Sequence, residues 1–194
     1  MQLYVVDDDH QVVAANCFLL NAMGHDTRSW TSPEQFLAEV DPMQPAILLL
    51  DLAMPELDGL AVQQTLLARD ATIAVILLTG HGDVAQAVSA MKQGAVDFLE
   101  KPVDAKRLAS ALAQAKLKVE QLVAQAQVRQ LFEQLSARER EVVSLVAAGH
   151  TNKVIAEHLC VAVRTVEVHR ASAMSKLQVG NMAELLNYWQ QYQQ

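Results

Sequence analysis

The feature that most constrains this chain is an alternation, over residues 1–103, of short apolar runs with stretches of helical spacing. Residues 3–6, 46–50, 73–78 and 95–99 read as buried strands, and 25–30 is a weaker fifth candidate. Between them, 12–23, 33–40, 60–69 and 84–92 place apolar residues at helical intervals, the last through Val84, Ala87, Val88 and Met91. Strands that are apolar throughout, each followed by a helix, predict a parallel sheet covered on both faces.

The remainder has another texture. Residues 104–135 contain neither glycine nor proline and are rich in Ala, Gln, Leu and Lys, which predicts one long helix or two in tandem. Leu108, Leu112, Ala115, Val119, Leu122 and Ala126 recur in steps of four and three, until Arg129 interrupts them. Two readings of that seam stand open: a short coiled coil, or packing of Leu108, Leu112 and Ala115 on the sheet with the rest free. Beyond it lie four short helical segments and no strand. Ser136 and Glu139 form a capping box opening a helix that runs to about Ala148 and stops at Gly149. Segments 152–159, 163–177 and 182–188 follow, and the Gln-rich stretch 190–194 is expected to fray. A length of 194 residues suits two modest domains.

Charge divides the chain at the same place. Residues 1–103 hold 14 acidic and four basic side chains, a net charge of −10, whereas 104–194 hold eight and eleven, a net of +3. The front half suits a cation, and the back half tolerates a polyanion. No apolar run approaches the ~20 residues of a membrane span, and the first residues lack a basic leader pattern, so a soluble, cytoplasmic protein is expected. Cys17 and Cys160 have neither CxxC spacing nor a neighbouring His, which argues against a metal site and a disulfide.

In an open α/β sheet, ligands bind beyond the carboxyl ends of the strands. There the sequence places Asp7, Asp8 and Asp9 after the first strand, Asp51 at the end of the third, Thr79 at the end of the fourth, and Lys101-Pro102 after the fifth. Asp7, Asp8 and Asp51 make a hard, oxygen-rich site suited to Mg²⁺ or Mn²⁺. Without a cation the three anions would repel and raise one another's pKa. Lys101 adds a compensating charge, Thr79 a hydroxyl able to donate to a phosphoryl oxygen, and an aspartate so placed can attack phosphorus. Taken singly, each aspartate is more often a cap or turn residue.

Val5-Val6-Asp7-Asp8, the run from Asp51 through Met54-Pro55 to Asp58-Gly59, Thr79-Gly80 and Phe98-Leu99-Glu100-Lys101-Pro102 together resemble the receiver domain of two-component response regulators over about residues 1–120. The resemblance implies a flavodoxin-like fold with strand order 2-1-3-4-5 and a sensor histidine kinase as partner. It makes Asp51 the phospho-acceptor, and Asp8, Asp51 and the Ala53 carbonyl the metal ligands, with Asp7 acting through water. It also makes Thr79 and Phe98 a switch pair, Lys101 the phosphate-binding cation, and Lys101-Pro102 a cis peptide; side chains near Ala53 and His81 would tune the phosphate lifetime.

Residues 152–177 read as a helix-turn-helix around Cys160 to Ala162, with Val154, Ile155, Leu159, Val161, Val166, Met174 and Leu177 toward the core. The outward face of the later helix would hold Arg164, Glu167, His169, Arg170 and Lys176; a plain three-helix bundle with a solvated face reads equally well from spacing. Leu135 to Val142, Gly149 to Ala156 and Arg164 to Arg170 resemble the LuxR/FixJ-type (NarL/FixJ family) DNA-binding domain over about 134–190. That resemblance implies Glu167, Val168 and Ala171 at base-reading positions on double-stranded DNA. It turns Lys153, Arg164, Thr165, His169 and Arg170 toward phosphates, and it gives the last helix, through Met182, Leu185 and Leu186, the dimer contact. The family usually opens its recognition helix at a serine; this chain has Ala162-Val163, so a side-chain cap worth roughly 1 kcal/mol should be missing.

The expected organisation is therefore a receiver over 1–120, a long helix over 104–134 that overlaps its end, and an all-α four-helix DNA-binding domain over 135–194. Phosphate on Asp51 should favour a homodimer, with 104–135 as the transmitting element, and the protein is not expected to be an enzyme. A haloacid-dehalogenase-type phosphatase would need a second carboxylate where Ala53 stands, and a binding module independent of phosphate would not need an intact acidic site.

Overall fold

The computed structural model of the chain describes residues 1–80 and 84–193, with side chains for all of these except 84–87. His81, and the side chains of Val84 and Ala87, lie outside the described residues. The chain folds as two compact units, Met1–Val123 and Ala124–Gln194.

The first unit is built on five parallel strands, β1 Gln2–Val6, β2 Thr27–Trp30, β3 Ala46–Asp51, β4 Ile73–Thr79 and β5 Asp97–Glu100, in the order β2-β1-β3-β4-β5. Helices α1 His10–Ala22, α2 Pro33–Glu39, α3 Gly59–Ala68 and α4 Val84–Lys92 connect them, and α5 runs over Ala105–Glu133. Because successive side chains of a strand face opposite ways, the central strands divide their apolar residues between two cores. Tyr4, Val6, Leu48, Leu50, Val75 and Leu77 pack with Phe36 of α2, Val62 and Leu66 of α3 and Ala90 of α4. Leu3, Val5, Ile47, Leu49, Ile76 and Leu78 pack with Leu20 of α1 and with α5. Local signals start the helices: the side chains of Asp9, Ser32 and Asp58 each accept a first-turn backbone N–H.

The seam on α5 takes the packing role. Leu108, Leu112, Ala115 and Val119 are all buried against the sheet, one residue further along the seam than the packing reading allowed. A coiled coil through these four is excluded, because a side chain already in the core has no surface to offer a second helix. The fifth strand begins at Asp97, two residues later than its apolar run, since Ala95 N–H still closes on the Ala90 carbonyl at 3.1 Å after the turn at Gly94.

The second unit packs α6 Ala137–Ala147, α7 Asn152–His158, α8 Val163–Lys176 and α9 Met182–Tyr192 around Val142, Val143, Val146, Ile155, Val166, Ala173, Leu177 and Leu185. Val128 and Phe132, in the last turns of α5, belong to the same core. Both halves of the Ser136–Glu139 capping box are formed, and Gly149, at φ 86°, takes the left-handed conformation that ends α6. Two sequence expectations need correction. The last helix does not fray after Tyr188 but continues to Tyr192, because Trp189 and Tyr192 pack on Phe132. Val154, expected in the core, is exposed.

Candidate phosphorylation and DNA-binding sites

At the carboxyl ends of β1, β3 and β4 the polar residues converge. Asp7 and Asp51 are buried at 0% and 4% exposure, and Asp8 stands exposed beside them. Oxygens of the three carboxylates lie within 4.8 Å of one another. Lys101, set by its backbone N–H on the Thr79 carbonyl (2.9 Å), reaches back so that Nζ is 2.6 Å from both Asp7 Oδ2 and Asp51 Oδ1. The peptide between Lys101 and Pro102 is cis.

The charges of this cluster do not balance. Three carboxylates face one ammonium, and burial raises the Asp7 pKa despite the hydrogen bonds from Lys101 and from Asp9 N–H, with Asp51 adding repulsion. Burial disfavours the Lys101 cation, yet its bonds to Asp51 and Asp7 outweigh that and raise its pKa. An all-oxygen donor set with surplus negative charge fits a hard divalent cation and disfavours a soft one.

Neighbouring groups are placed as follows. Thr79 is buried at the end of β4 and donates Oγ1–H to the Gly80 carbonyl at 3.0 Å. Phe98 is 38% exposed and pairs in register with Leu77, whereas Thr79 pairs with Glu100, so in this structure the aromatic ring stands outward. Ala53 lies in the loop after β3, two residues past Asp51, with its side chain exposed.

Gly59 has a role that motif reading passed over. A Cβ there would stand 2.4 Å from the Asp51 carbonyl oxygen, and Gly59 N–H donates to Leu52 O at 3.0 Å. The glycine lets α3 begin directly against the end of β3, which places Asp51.

In the second unit, α7 and α8 are joined through Cys160, at φ 52°. Val166, Ala173 and Leu177 point inward, whereas Arg164, Glu167, Val168 and Ala171 are exposed on α8, as is Lys153 on α7. Thr165, His169 and Arg170 are half-buried, and Arg170 Nη1 donates to Asn152 Oδ1 at 3.3 Å. Ala162 is the N-cap of α8 and supplies no side-chain bond, as expected.

Two residues are not where the sequence put them. Lys176 turns away from the outward face: its Nζ donates to Glu139 Oε2 at 2.7 Å. Glu139, buried at the start of α6, also accepts from Ser172 Oγ at 2.6 Å and from Ser136 N–H at 2.7 Å, so the capping glutamate fastens α8 to α6. Burial alone would raise its pKa, but the bonds from Lys176, Ser172 and Ser136 prevail and hold it at about 2. Leu185, expected at a dimer contact, is fully buried in the core of its own unit, whereas Met182 and Leu186 are half-buried.

Among the described residues no helix is long and apolar enough to cross a membrane. Residues 3–113 match the response regulator receiver domain, and residues 133–189 match the bacterial regulatory proteins of the luxR family. The tetrathionate response regulatory protein TtrR of Salmonella typhimurium is 47% identical over 184 residues, covering 95% of this chain and 89% of that protein. The transcriptional regulatory protein FixJ of Rhizobium meliloti is 38% identical, with 95% and 92% covered. Among solved structures, the response regulator StyR superposes with a TM-score of 0.64 at 37% identity, covering 98% of each chain. With a receiver domain and a LuxR-type DNA-binding domain in one polypeptide, this chain belongs to the two-component response regulators that act as DNA-binding transcription regulators.

Proposed function

We propose that Asp51 is the phospho-acceptor and that its phosphorylation by a sensor histidine kinase controls DNA binding by α7 and α8. The observation that carries this is Lys101 Nζ lying 2.6 Å from both Asp7 and Asp51 within the three-carboxylate cluster. An Asp51 carboxylate oxygen forms the new bond to phosphorus, and the bond from phosphorus to the donor imidazole breaks with its electron pair on the nitrogen. Lys101 then pairs with a phosphoryl oxygen. Asp7, Asp8 and Asp51, with the carbonyl of Ala53, would hold Mg²⁺ or Mn²⁺, whose charge would offset that of the phosphoryl oxygens.

Thr79 Oγ1 rotates from Gly80 toward the phosphoryl group, and Phe98 moves inward from its exposed position as the paired switch. Ala53 leaves no second carboxylate for acid–base turnover, so the protein accepts phosphate without acting as a phosphoesterase. Receiver, helix and DNA-binding parts take residues 1–120, 104–134 and 135–194. The protein works in the cytoplasm, where phosphate on Asp51 favours a homodimer. On double-stranded DNA, α9 makes the dimer contact through Met182 and Leu186. Lys153, Arg164, Thr165, His169 and Arg170 meet phosphates, and Glu167, Val168 and Ala171 meet bases.

Acetyl phosphate with the divalent cation should label one base-labile site, and Asp51→Asn should abolish the label. Stoichiometric labelling of Asp51→Asn would refute the assignment.

A further inference from the structure

The DNA-binding unit leaves apolar side chains exposed in one place. Among its described residues, the large hydrophobic side chains that stand exposed are Val154, Val163 and Val168, at 43%, 41% and 55%. All three lie on α7 or α8. Val166, two residues before Val168 and so on the opposite side of the helix from it, is fully buried.

Along α8 the exposed residues Arg164, Glu167, Val168, Ala171 and Ser175 stand at i, i+3, i+4, i+7 and i+11, so they share one face. That face is not built mainly for phosphates. Its one cation, Arg164, donates Nη1–H to Glu167 Oε2 at 3.1 Å, which leaves Glu167 Oε1 as an outward acceptor beside two small apolar side chains.

Only two bases offer such a face a complement in the major groove. Thymine presents its C5-methyl to apolar side chains. Cytosine presents an amino donor to a carboxylate, whereas the adenine amino group sits beside N7, an acceptor that repels one.

We propose that Val168 and Ala171 read thymine methyls and that Glu167, oriented by Arg164, accepts a hydrogen bond from a cytosine amino group. Each operator half-site then holds a thymine and a cytosine within a step or two of each other. This rests on the proposed entry of α8 into the major groove, and the test separates the two.

The full chain, treated with a beryllofluoride phosphate mimic and the divalent cation, selects duplexes from a random library. Selected duplexes are then remade with deoxyuridine in place of thymidine, which removes the methyl group alone. Replacing a single thymidine, at one or two positions of a half-site, should weaken binding about fourfold, the value of one buried methyl. Val168→Ser should lose the penalty at the thymine that Val168 meets and keep it at the one beside Ala171, and Glu167→Gln should move the selected base from cytosine toward adenine. Both residues are exposed, and circular dichroism should show the fold retained in each variant. A selected sequence that tolerates deoxyuridine throughout, or deoxyuridine penalties that survive at every position in Val168→Ser, overturns the inference while the DNA-binding reading stands. Failure to enrich any sequence overturns both.

Discussion

The rings of Phe132 and Tyr192 lie face to face, with centroids 4.3 Å apart and planes 13° from parallel. Trp189 completes the cluster at 5.8 Å from Phe132, so the last turn of α9 covers the last turn of α5. Tyr192→Ala should therefore lower the stability of the second unit by about 2 kcal/mol. Chemical denaturation followed by Trp189 fluorescence measures this, and an unchanged midpoint would mean that the stack carries no stability.

Glu139 predicts a pH dependence. Its pKa falls from 4.5 to about 2 on folding, so its ionised form is favoured in the folded state. The resulting stabilisation is fully present above pH 4.5 and is lost as pH falls through about 2. Glu139→Gln should destabilise the unit by about 2 kcal/mol near neutrality. The gap between the variant and the parent should narrow as unfolding is measured at successively lower pH below 4.5.

Arg164 and Lys176 should part company on DNA. Arg164→Ala is expected to reduce the slope of log affinity against log salt by about one unit. Lys176→Met, which removes the partner of Glu139 rather than a phosphate contact, should leave that slope alone and lower the melting temperature. Salt titrations of the two variants on one duplex distinguish the roles.

The contact at Gly59 is with backbone and cannot be relieved by turning a side chain. Gly59→Ala should cost about 1–3 kcal/mol and slow labelling by acetyl phosphate, because the end of β3 must shift and Asp51 with it. Labelling at the parental rate would show that the displacement is absorbed elsewhere.

Substitutions on α5 should divide by face. Leu112→Lys puts a charge into the core between α5 and the sheet and should abolish cooperative folding of the first unit. Leu117→Lys, at a position 61% exposed, should leave the melting curve intact. If the two variants melt alike, the burial of the seam is wrong.

The β/α alternation and the convergence of Asp7, Asp8, Asp51 and Lys101 at the carboxyl ends of the strands were legible in the sequence, because each follows from a local pattern. A strand that is apolar throughout is buried on both faces, and a residue at the carboxyl end of a parallel strand lies at the edge where such sheets bind ligands. The same holds for the Ser136–Glu139 cap, which needs only four consecutive residues.

What tertiary structure decided are the choices between partners that satisfy one local pattern equally well. A step of four and three suits a neighbouring helix or a sheet, and the presence of the apolar face of β1, β3 and β4 beside Leu112 and Val119 settled it. Lys176 belongs to the outward face by sequence spacing, but a carboxylate buried beneath it draws the ammonium inward. Gly59 acquires its meaning from an oxygen eight residues earlier in the chain, and Tyr192 from a ring sixty residues earlier. Such contacts depend on how chain segments distant in sequence pack together, which no local periodicity encodes.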